Sequence, residues 1–347
     1  SAKAASLFGL VYFCFSNSVS YNRVISEKAS TFVKLGLEKE KIVGLPFRAK
    51  TTSEILAHLS RHGFVVIESR KPLECRIVYS RFLERLAEHF SGKPKIACPK
   101  IVDCIDEHSV NSRLEKEFFA FKKLEKAAAS FDEVGFIHSS LSLEGNTLTL
   151  SETERLIRQN ISPPSKPFRD AQEVLDYKKA LDGFLYQGTW LSEENILEFH
   201  RTAMNSLGAG AGKFRVQNVR IKGNPNFRTP DWKELPPLMK EFFQAAEKPA
   251  PKKIHAVKIV EEAAFLHNEF QRIHTFIDGN SRTSRAIFTK TLLQHGFPLV
   301  KIPVGFSDQY MALTKLSQNR DDQKFALLMK LIVLENLKTS NMKLQYA

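Results

Sequence analysis

Helical periodicity in the last two thirds of the chain constrains the fold more than any other feature. From about residue 130 onward, apolar side chains recur every three or four positions in one segment after another, as in amphipathic helices that share a core. Ser151 and Glu154 have the spacing of a capping box and predict the start of one such helix. Residues 216–230 have instead the pattern of a hairpin. The sequence therefore predicts a mostly α fold with a short β-hairpin.

The first third of the chain predicts a smaller α+β domain. Residues 51–71 read as a capped helix that ends at Gly63 and is followed by a β-rich stretch, a pattern compatible with a winged helix and shared by many other α+β domains. Residues 78–90 and 113–131 also have helical periodicity. We expect four parts in the chain: an N-terminal α+β domain over residues 1–125, a helix region and linker over 126–165, a helical core over 166–335 and a C-terminal tail over 336–347.

Composition limits the classes of protein that the chain can belong to. The formal net charge of +13 favours an anionic partner and leaves nucleic-acid binding by residues 1–125 open. No apolar run reaches the ~18 residues that span a bilayer, and the run at residues 7–15 suits a buried element better than a signal peptide. We expect a cytoplasmic protein without a membrane partner, although a secreted effector fits the same composition. The cysteines lack the CxxC spacing of a zinc site and predict reduced thiols: Cys14, Cys75, Cys98 and Cys104.

Residues 274–285, HTFIDGNSRTSR, combine a base, an acid, a tight turn and two fixed positive charges. A helix is predicted to begin near Asn280, and the unpaired N–H groups of a first helical turn bind phosphate. Arg282 and Arg285 lie three residues apart on one face of that turn, and arginine forks match phosphate oxygens. The segment therefore predicts a phosphate site.

Three other side chains of this segment complete the predicted site. Asp278, immediately before the turn, would repel phosphate unless Mg²⁺ lay between them, and Mg²⁺ favours one or two carboxylates together with phosphate oxygens. His274 could reach the same point as a general base. Phe276 lies between them and is expected to point inward and anchor the loop.

This segment resembles the signature of the Fic family, HxFx(D/E)GNGRxxR, and the likeness extends from about residue 130 to residue 335. EEAAFLHNEFQRIH, residues 261–274, resembles the helix that delivers the signature loop of the family. Residues 208–230 resemble the family's hairpin, called the flap, and residues 309–322 resemble the segment on the adenine side of its pocket. The resemblance implies a helical Fic core, and residues 1–125 resemble no family that we can name.

The resemblance implies transfer of AMP from ATP to a hydroxyl group of a target protein, with Mg²⁺ bound. In that scheme His274 takes the proton from a Ser, Thr or Tyr of the target, and Asp278 holds Mg²⁺ against the phosphates. Arg282 holds the departing pyrophosphate and Arg285 grips the γ-phosphate. The other nucleotide-site residues that the resemblance implies are Phe276, Gly279, Asn280, Ser281 and Tyr310. The flap residues implied to hold the target segment by backbone pairing are Val219, Ile221 and Gly223.

A second motif, at residues 139–152, resembles the inhibitory pattern (S/T)xxxE(G/N) of self-inhibited Fic proteins. Ser140, Glu144 and Gly145 occupy its three fixed positions. The resemblance implies that Glu144 reaches Arg285, fills the γ-phosphate site and turns ATP out of its productive pose. Some self-inhibited relatives are regulated by oligomerisation, so a homodimer is an option for this chain as well.

The sequence departs from the family signature at two positions. Ser281 replaces the glycine that follows the asparagine, and Thr275 replaces the common proline. If the backbone at Ser281 needs a positive φ, the side chain costs roughly 1 kcal/mol. A change of Ser281 to glycine is therefore expected to increase turnover.

Several other functions remain compatible with the same residues. The pocket could hydrolyse the modification, with Glu144 orienting a water, or it could transfer a different group. A weakly active Fic core could act mainly through nucleic-acid or partner binding, which the basic residues 1–125 would support. His255, His267 and His274 raise a metal-hydrolase option, which the absence of an HD pair disfavours.

Overall fold

The structure is a computed structural model, and it describes residues 42–43, 49–81, 83, 100–124, 132–186, 191–208, 210–221, 227–247, 255–314 and 320–345. The chain divides into two compact units. The N-terminal unit comprises residues 1–110 and 303–310, and the helical unit comprises residues 111–302 and 311–347. The sequence instead predicted a boundary near residue 125 and no return of the chain to the first domain. The predicted elements at residues 7–15, together with Cys14, Cys98 and Gly223, lie outside the described residues.

The N-terminal unit is built on a small antiparallel sheet. Its elements are β1 (Ile42–Val43), α1 (Ala49–Arg61), β2 (Val65–Arg70), β3 (Leu73–Ile77) and α2 (Ile101–Cys104). Both β1 and β2 pair with β3, which gives the strand order β1-β3-β2. Ile55 and Leu59 of α1 pack with Val65 and Cys75 of the sheet in one apolar cluster. The predicted α+β character is confirmed, while the winged-helix identity stays a prediction.

The two cysteines that the structure describes in this unit are thiols and form no disulfide. Cys75 is fully buried in the apolar cluster, and Cys104 is half-buried. Burial raises the pKa of the Cys75 thiol to about 12, and Glu68 adds to the effect. A thiol with so high a pKa stays protonated and unreactive at neutral pH.

The helical unit contains almost all the remaining helix of the described chain. Its helices are α3 (Glu107–Leu124, from residue 111 onward), α4 (Glu133–Ser142), α5 (Leu150–Gln159), α6 (Phe168–Leu185), α7 (Glu193–Ala203), α8 (Leu235–Ala246), α9 (Ala256–Ile273), α10 (Asn280–Gln294) and α12 (Asp322–Gln345). Helix α11 (Ser307–Leu313) begins in the N-terminal unit and ends in the helical unit. The mostly α class predicted from the sequence is confirmed.

Helix α10 lies at the centre of the helical unit. It packs against α4, α6, α7 and α9, and every residue from Asn280 to Leu292 is buried. Because burying a polar group without a hydrogen bond is costly, several of its polar side chains have partners inside the protein. Thr283 donates to the carbonyl of Gly279 at 2.9 Å, and Lys290 donates to the carbonyl of Phe184 at 2.6 Å. Hydrogen bonds of this kind allow α10 to lie in the core of the helical unit although it carries basic side chains.

Two local predictions from the sequence differ from the structure. The capping box of α5 is formed by Thr149 and Glu152, not by Ser151 and Glu154. Both pairs have the required spacing, and the earlier pair forms the box because α5 begins at Leu150. Residues 336–345, predicted as a tail, continue α12 as helix.

The predicted hairpin has one antiparallel bridge among the described residues, between Arg220 and Arg228. Residues 222–226, which connect its two sides, lie outside the described residues.

Among the helices of the described residues, none is both long enough and apolar enough to cross a membrane.

Candidate active site

The loop between α9 and α10, residues 274–280, presents the predicted base. We call it the signature loop. His274 ends α9 in the left-handed region, with φ 53° and ψ 55°, which turns its side chain out of the helix. Its Nδ1 lies 3.2 Å from the carbonyl oxygen of Gln271. Because a carbonyl only accepts, Nδ1 carries the proton, and Nε2 is then the basic nitrogen of the neutral ring.

The signature loop is closed by one asparagine and one buried aromatic ring. The Asn280 side chain accepts from the Phe276 N–H at 2.9 Å and donates to the Phe276 carbonyl at 2.8 Å. Phe276 is fully buried, as expected for an anchor. Since both amide groups of Asn280 are used in the loop, any phosphate contact of Asn280 must come from its backbone N–H.

Asp278 and Gly279 form the turn that leads into α10. The Asp278 side chain is 68% exposed, and its Oδ1 accepts from the Gly279 N–H at 2.6 Å. Gly279 has φ 81°, and a Cβ there would lie 2.7 Å from the sulfur of Met204 and 2.9 Å from Nε2 of His200. Only glycine satisfies both the backbone angle and the space. The turn therefore leaves one carboxylate exposed directly before a helix N-terminus.

The donor set around Asp278 fits Mg²⁺ only in partnership with a phosphate ligand. No group of three or more metal-binding side chains occurs in the part of the chain that the structure describes. One exposed carboxylate is nonetheless what Mg²⁺ takes from a protein when phosphate oxygens and waters supply the rest of its octahedron. The site thus suits a nucleotide-borne ion rather than a resident metal.

Arg282 is buried against a carboxylate that the sequence did not reveal. Its Nη1 donates to Glu173 of α6, and its Nη2 lies 3.4 Å from Oδ2 of Asp278. Its side chain is 6% exposed, and its Nε has no hydrogen-bond partner among the described residues. Burial raises the pKa of Glu173, while Asn146 and Arg282 act in the opposite direction. The guanidinium is therefore held in place with donor capacity to spare.

Arg285 contacts the residues of the second motif. Its Nε donates to Oγ of Ser140 at 2.8 Å, and its Nη2 donates both to the Ser140 carbonyl at 2.9 Å and to Oε1 of Glu144 at 2.8 Å. Gly145, with φ 95°, ends this segment. The structure therefore brings together the two motifs, which lie about 140 residues apart in the chain. The inhibitory role of the contact stays a prediction.

Tyr177 of α6 joins the two arginine sites through buried hydroxyl groups. The Ser140 hydroxyl lies 2.9 Å from the Tyr177 hydroxyl, which in turn donates to the Arg282 carbonyl at 3.4 Å. Because Ser140 accepts from Arg285, it can donate to Tyr177. A continuous chain of donors then runs from Arg285 to the backbone of Arg282. Burial raises the pKa of Tyr177, so the phenol stays protonated and can donate.

His200 of α7 braces the signature loop from the other side. Its ring stacks on Phe276 with centroids 3.6 Å apart. Its Nδ1 accepts from the Gly212 N–H at 2.9 Å, so its Nε2 carries the proton and donates to the Asp278 carbonyl at 2.8 Å. Burial lowers the pKa of His200 to about 4. It is therefore a neutral structural histidine at physiological pH.

The buried histidines predict a stability that falls in acid. Burial also lowers the pKa of His267 to about 3, and Arg285 adds to that effect. Between pH 6.5 and about 4 the unfolded chain binds protons at His200 and His267 that the folded chain refuses, so the free energy of unfolding falls as pH falls. Each histidine is expected to remove about 2 kcal/mol between pH 7.5 and pH 5. Urea unfolding at the two pH values measures the difference.

Two variants assign that pH dependence. His267→Gln is expected to reduce the difference between the two pH values by about 2 kcal/mol, because the proton that the unfolded chain binds at His267 is no longer part of it. His255→Gln is the control, since His255 is exposed, and it should retain the full difference. An unfolding free energy that stays constant or rises toward pH 5 would contradict the expectation.

Ser281 lies in ordinary helical backbone. It is buried in the first turn of α10, and it is not among the described residues with positive φ. The strain that would have made glycine preferable is therefore absent. An increase in turnover for Ser281→Gly would have to come from a closer approach of phosphate alone.

The flap is anchored at its base and borders an open pocket. Val219 and Ile221 are half-buried, and the Thr229 hydroxyl donates to the Val219 carbonyl at 2.9 Å. An open pocket lies beside it, lined by Ile221, Phe227, Asn268, Gln271, Arg272, Leu313, Thr314 and Arg320. Nε2 of Gln271 is buried there without a hydrogen-bond partner among the described residues. Tyr310 does not line this pocket; it is buried and belongs to the N-terminal unit.

Four residues of the site escaped prediction from the sequence: Asn146, Glu173, Tyr177 and His200. Glu173 and Tyr177 do carry a weak signal, because they stand at helix positions between apolar residues where a solvent-exposed side chain is not expected. Asn146 donates to both the Asp170 carbonyl and Glu173, which ties the second motif to α6.

Comparison with known proteins agrees with this geometry. Residues 190–292 match the model of the Fic/DOC family. The signature loop, α9, the flap and α10 as far as residue 292 lie within that match, so this part of the chain is similar to a Fic/DOC domain.

Its relatives include curated proteins named "Protein adenylyltransferase Fic". The relative from Drosophila grimshawi is 28% identical over 249 residues, covering 69% of this chain and 50% of the relative. The relative from Drosophila willistoni is 30% identical over 193 residues, covering 54% of this chain and 38% of the relative. The chain thus spans about half the length, or less, of these curated relatives.

Solved structures share the fold at low sequence identity. Fic-1 from C. elegans aligns with a TM-score of 0.60 and 16% identity, covering 99% of this chain and 97% of that one. A Fic domain containing signaling protein from Bacteroides thetaiotaomicron aligns with a TM-score of 0.56 and 19% identity, covering 67% and 98%. At these identities the likeness concerns the fold alone.

Proposed function

We propose that this chain is a protein adenylyltransferase that transfers AMP from ATP to a Ser, Thr or Tyr hydroxyl group of a target protein. The observation that carries the proposal is the arrangement of the signature loop. An imidazole whose Nδ1 lies on a backbone carbonyl precedes a helix N-terminus, and two buried arginines follow in the first turns of that helix. The relatives named protein adenylyltransferase support the same reaction.

The reaction needs a base, and His274 supplies it. Nε2 takes the proton of the target hydroxyl as the target oxygen bonds to the α-phosphorus of ATP. The bond from that phosphorus to the bridging oxygen breaks, and pyrophosphate leaves. The Gln271 carbonyl, which accepts from Nδ1, fixes the tautomer beforehand and stabilises the imidazolium that forms.

The phosphates are held by the start of α10 and by its two arginines. Backbone N–H groups of the first turn point out of the helix, and the helix dipole favours negative charge there. Arg282, with an unsatisfied Nε, would take the departing pyrophosphate, and Arg285 would take the γ-phosphate. Mg²⁺ bound beside Asp278 would neutralise phosphate charge. Catalysis then consists of positioning and charge stabilisation.

The pocket beside the flap suits the nucleoside. Its walls are apolar at Ile221, Phe227 and Leu313, and the buried Gln271 amide offers an unused donor. A few polar groups on a mostly apolar wall are what fix the orientation of a base. Val219, Ile221 and Gly223 of the flap would then hold the target segment by backbone pairing beside His274.

Glu144 restrains the enzyme in this proposal. Its carboxylate is 13% exposed and lies on Arg285, where the γ-phosphate would bind. A carboxylate and a phosphate compete for the same guanidinium fork. ATP therefore reaches its productive pose only when Glu144 leaves.

The same carboxylate favours a second candidate function, removal of AMP from a modified protein. A carboxylate that is already fixed in the site can take a proton from a water as that water attacks the α-phosphorus. His274, in its protonated form, then donates a proton from Nε2 to the target oxygen as the bond between that oxygen and phosphorus breaks. Transfer and removal differ in substrate and in the position of Glu144.

Labelled nucleotides test the proposal directly. The chain and candidate target proteins are incubated with Mg²⁺ and ATP labelled either at the α- or at the γ-phosphorus. AMP transfer attaches the α-label and not the γ-label to protein, whereas kinase chemistry gives the reverse. Release of AMP from a pre-labelled target, without transfer from ATP, would favour removal as the function. Protein that gains no α-label even with Glu144 changed to glycine would refute the proposal.

A further inference from the structure

Arg215 lies at the base of the flap and is the least exposed arginine of that segment. Only 2% of its surface is accessible. Its guanidinium group donates three hydrogen bonds, all to backbone carbonyls: Nε to His274 at 2.8 Å, Nη1 to Gln217 at 3.0 Å and Nη2 to Pro230 at 2.7 Å. The three acceptors come from three separate stretches of backbone.

These three stretches belong to the flap and to the signature loop. We call residues 217–221 the first arm of the flap and residues 227–230 its second arm. Gln217 begins the first arm, Pro230 ends the second arm, and His274 is the proposed base. The Arg215 backbone adds a fourth link, because its N–H donates to the Thr275 carbonyl at 3.0 Å. One residue therefore ties both arms of the flap to the start of the signature loop.

The surroundings of Arg215 are unusual for a buried cation. Burial lowers the pKa of Arg215, and the charge of Asp231 opposes that effect from outside salt-bridge distance. Burying a charge without a contacting counterion is costly, and an apolar side chain of similar volume would fill the space at a lower cost in free energy. A planar fork with five donors, however, can hold three carbonyls in fixed directions, which an ammonium group or an apolar chain cannot do.

The backbone of His274 is where such a restraint matters. His274 adopts the left-handed conformation, which a residue with a Cβ seldom takes. The side-chain direction of His274 follows from that backbone angle. A hydrogen bond to its carbonyl oxygen therefore holds the imidazole in the direction from which it reaches the substrate.

We propose that Arg215 is a positioning residue that couples the flap to the base, holding the His274 carbonyl only while both arms of the flap are in place. The proposal rests on the proposed function. Engagement of a target by the flap then favours the correct placement of the imidazole, and a displaced flap releases it. Arg215 touches neither ATP nor the transferred group in this scheme.

Hydrogen exchange tests the coupling without any activity measurement. In Arg215→Met, exchange is expected to rise together at residues 216–221, 227–230 and 274–276, while α4 and the C-terminal half of α10 stay protected. Arg158→Met is the matched control, since Arg158 pairs with Glu154 on the exposed face of α5, and it should leave all these segments unchanged. Looser flap arms with an unchanged signature loop would overturn the proposal.

Kinetics supply the second test. A displaced base lowers the rate of transfer by roughly a hundredfold, and nucleotide binding, which rests on α10, should stay within about twofold. Arg215→Lys keeps the charge but reaches fewer carbonyls. It is therefore also expected to lower kcat while leaving ATP affinity almost unchanged. In Arg215→Ala, added guanidinium ion should restore part of the rate and methylammonium should not. If ATP affinity falls as much as the rate, or if both cations restore the rate equally, Arg215 has only a structural role and the proposal is wrong.

The two proposals can fail separately. If the unaltered chain and its Glu144→Gly variant transfer no AMP, the proposed function is wrong, and the kinetic test no longer applies. The exchange experiment still decides whether Arg215 couples the flap to the signature loop. Joint loosening supports the coupling, and independent loosening overturns it.

Discussion

Glu144→Gly is expected to raise self-labelling with α-labelled ATP about ten- to a hundredfold. The change removes the carboxylate that lies 2.8 Å from Arg285 and leaves the guanidinium to the γ-phosphate. Charge-assisted hydrogen bonds of this kind contribute roughly 1.5–3 kcal/mol, which sets the size of the effect. Initial rates of label incorporation, measured at several ATP concentrations, give the comparison.

Two controls separate release of Arg285 from other consequences of the substitution. Glu154→Gly alters an exposed glutamate of α5 and should leave labelling unchanged. Glu144→Gln keeps the size of the side chain, removes its charge and should give an intermediate rate. The Glu144→Gly chain should also be stabilised more by ATP than the unaltered chain, because bound ligand adds to the free energy of unfolding. Labelling that does not change would remove Glu144 from the regulatory role.

His274→Ala is expected to lower AMP transfer by about 10²- to 10⁴-fold, the usual contribution of a positioned general base. ATP binding should persist, because the arginines and the start of α10 remain. Binding of a fluorescent ATP analogue and the rate of label transfer, measured on the same preparation, show the separation. His255→Ala changes an exposed histidine and serves as the control.

The double variant Glu144→Gly/His274→Ala tests whether both effects concern one site. If Glu144 restrains the reaction that His274 performs, removing His274 should abolish the gain from Glu144→Gly. Labelling that persisted in the double variant would point to another base and contradict the assignment of His274.

Prediction from sequence worked where short segments resemble motifs of a known family. The signature loop and the motif around Glu144 are two such segments. The resemblance implied a contact between Glu144 and Arg285, and the structure has it at 2.8 Å, while the roles of these residues stay predictions. The mostly α class followed from periodicity, which reports burial on one face of a helix.

The residues that the sequence did not reveal depend on distant segments meeting. Glu173 acts on Arg282 across 109 positions of the chain, and His200 acts on Asp278 across 78 positions. Glu173 carries only the weak signal of a polar residue among apolar helix positions, and neither Glu173 nor His200 has a neighbour in the chain that identifies its partner. Arg215 belonged to a motif that was recognised, but its three acceptors became visible only in the folded backbone.

Prediction also failed where two local choices were almost equal. Both Thr149 with Glu152 and Ser151 with Glu154 satisfy the spacing of a capping box, and packing of the helix start decides between them. At Ser281 the family glycine suggested an unusual backbone, while the structure has an ordinary helical turn there.

Because α10 lies at the centre of the helical unit, the proposed phosphate site can be only as stable as that unit as a whole. Regions that open by themselves are those with few buried contacts, and α10 is buried from Asn280 to Leu292. The arginines therefore cannot be exposed by fraying of a surface element. On heating or proteolysis, nucleotide binding should be lost only when the helical unit unfolds cooperatively. The nucleotide binding that remains would then report the fraction of folded protein.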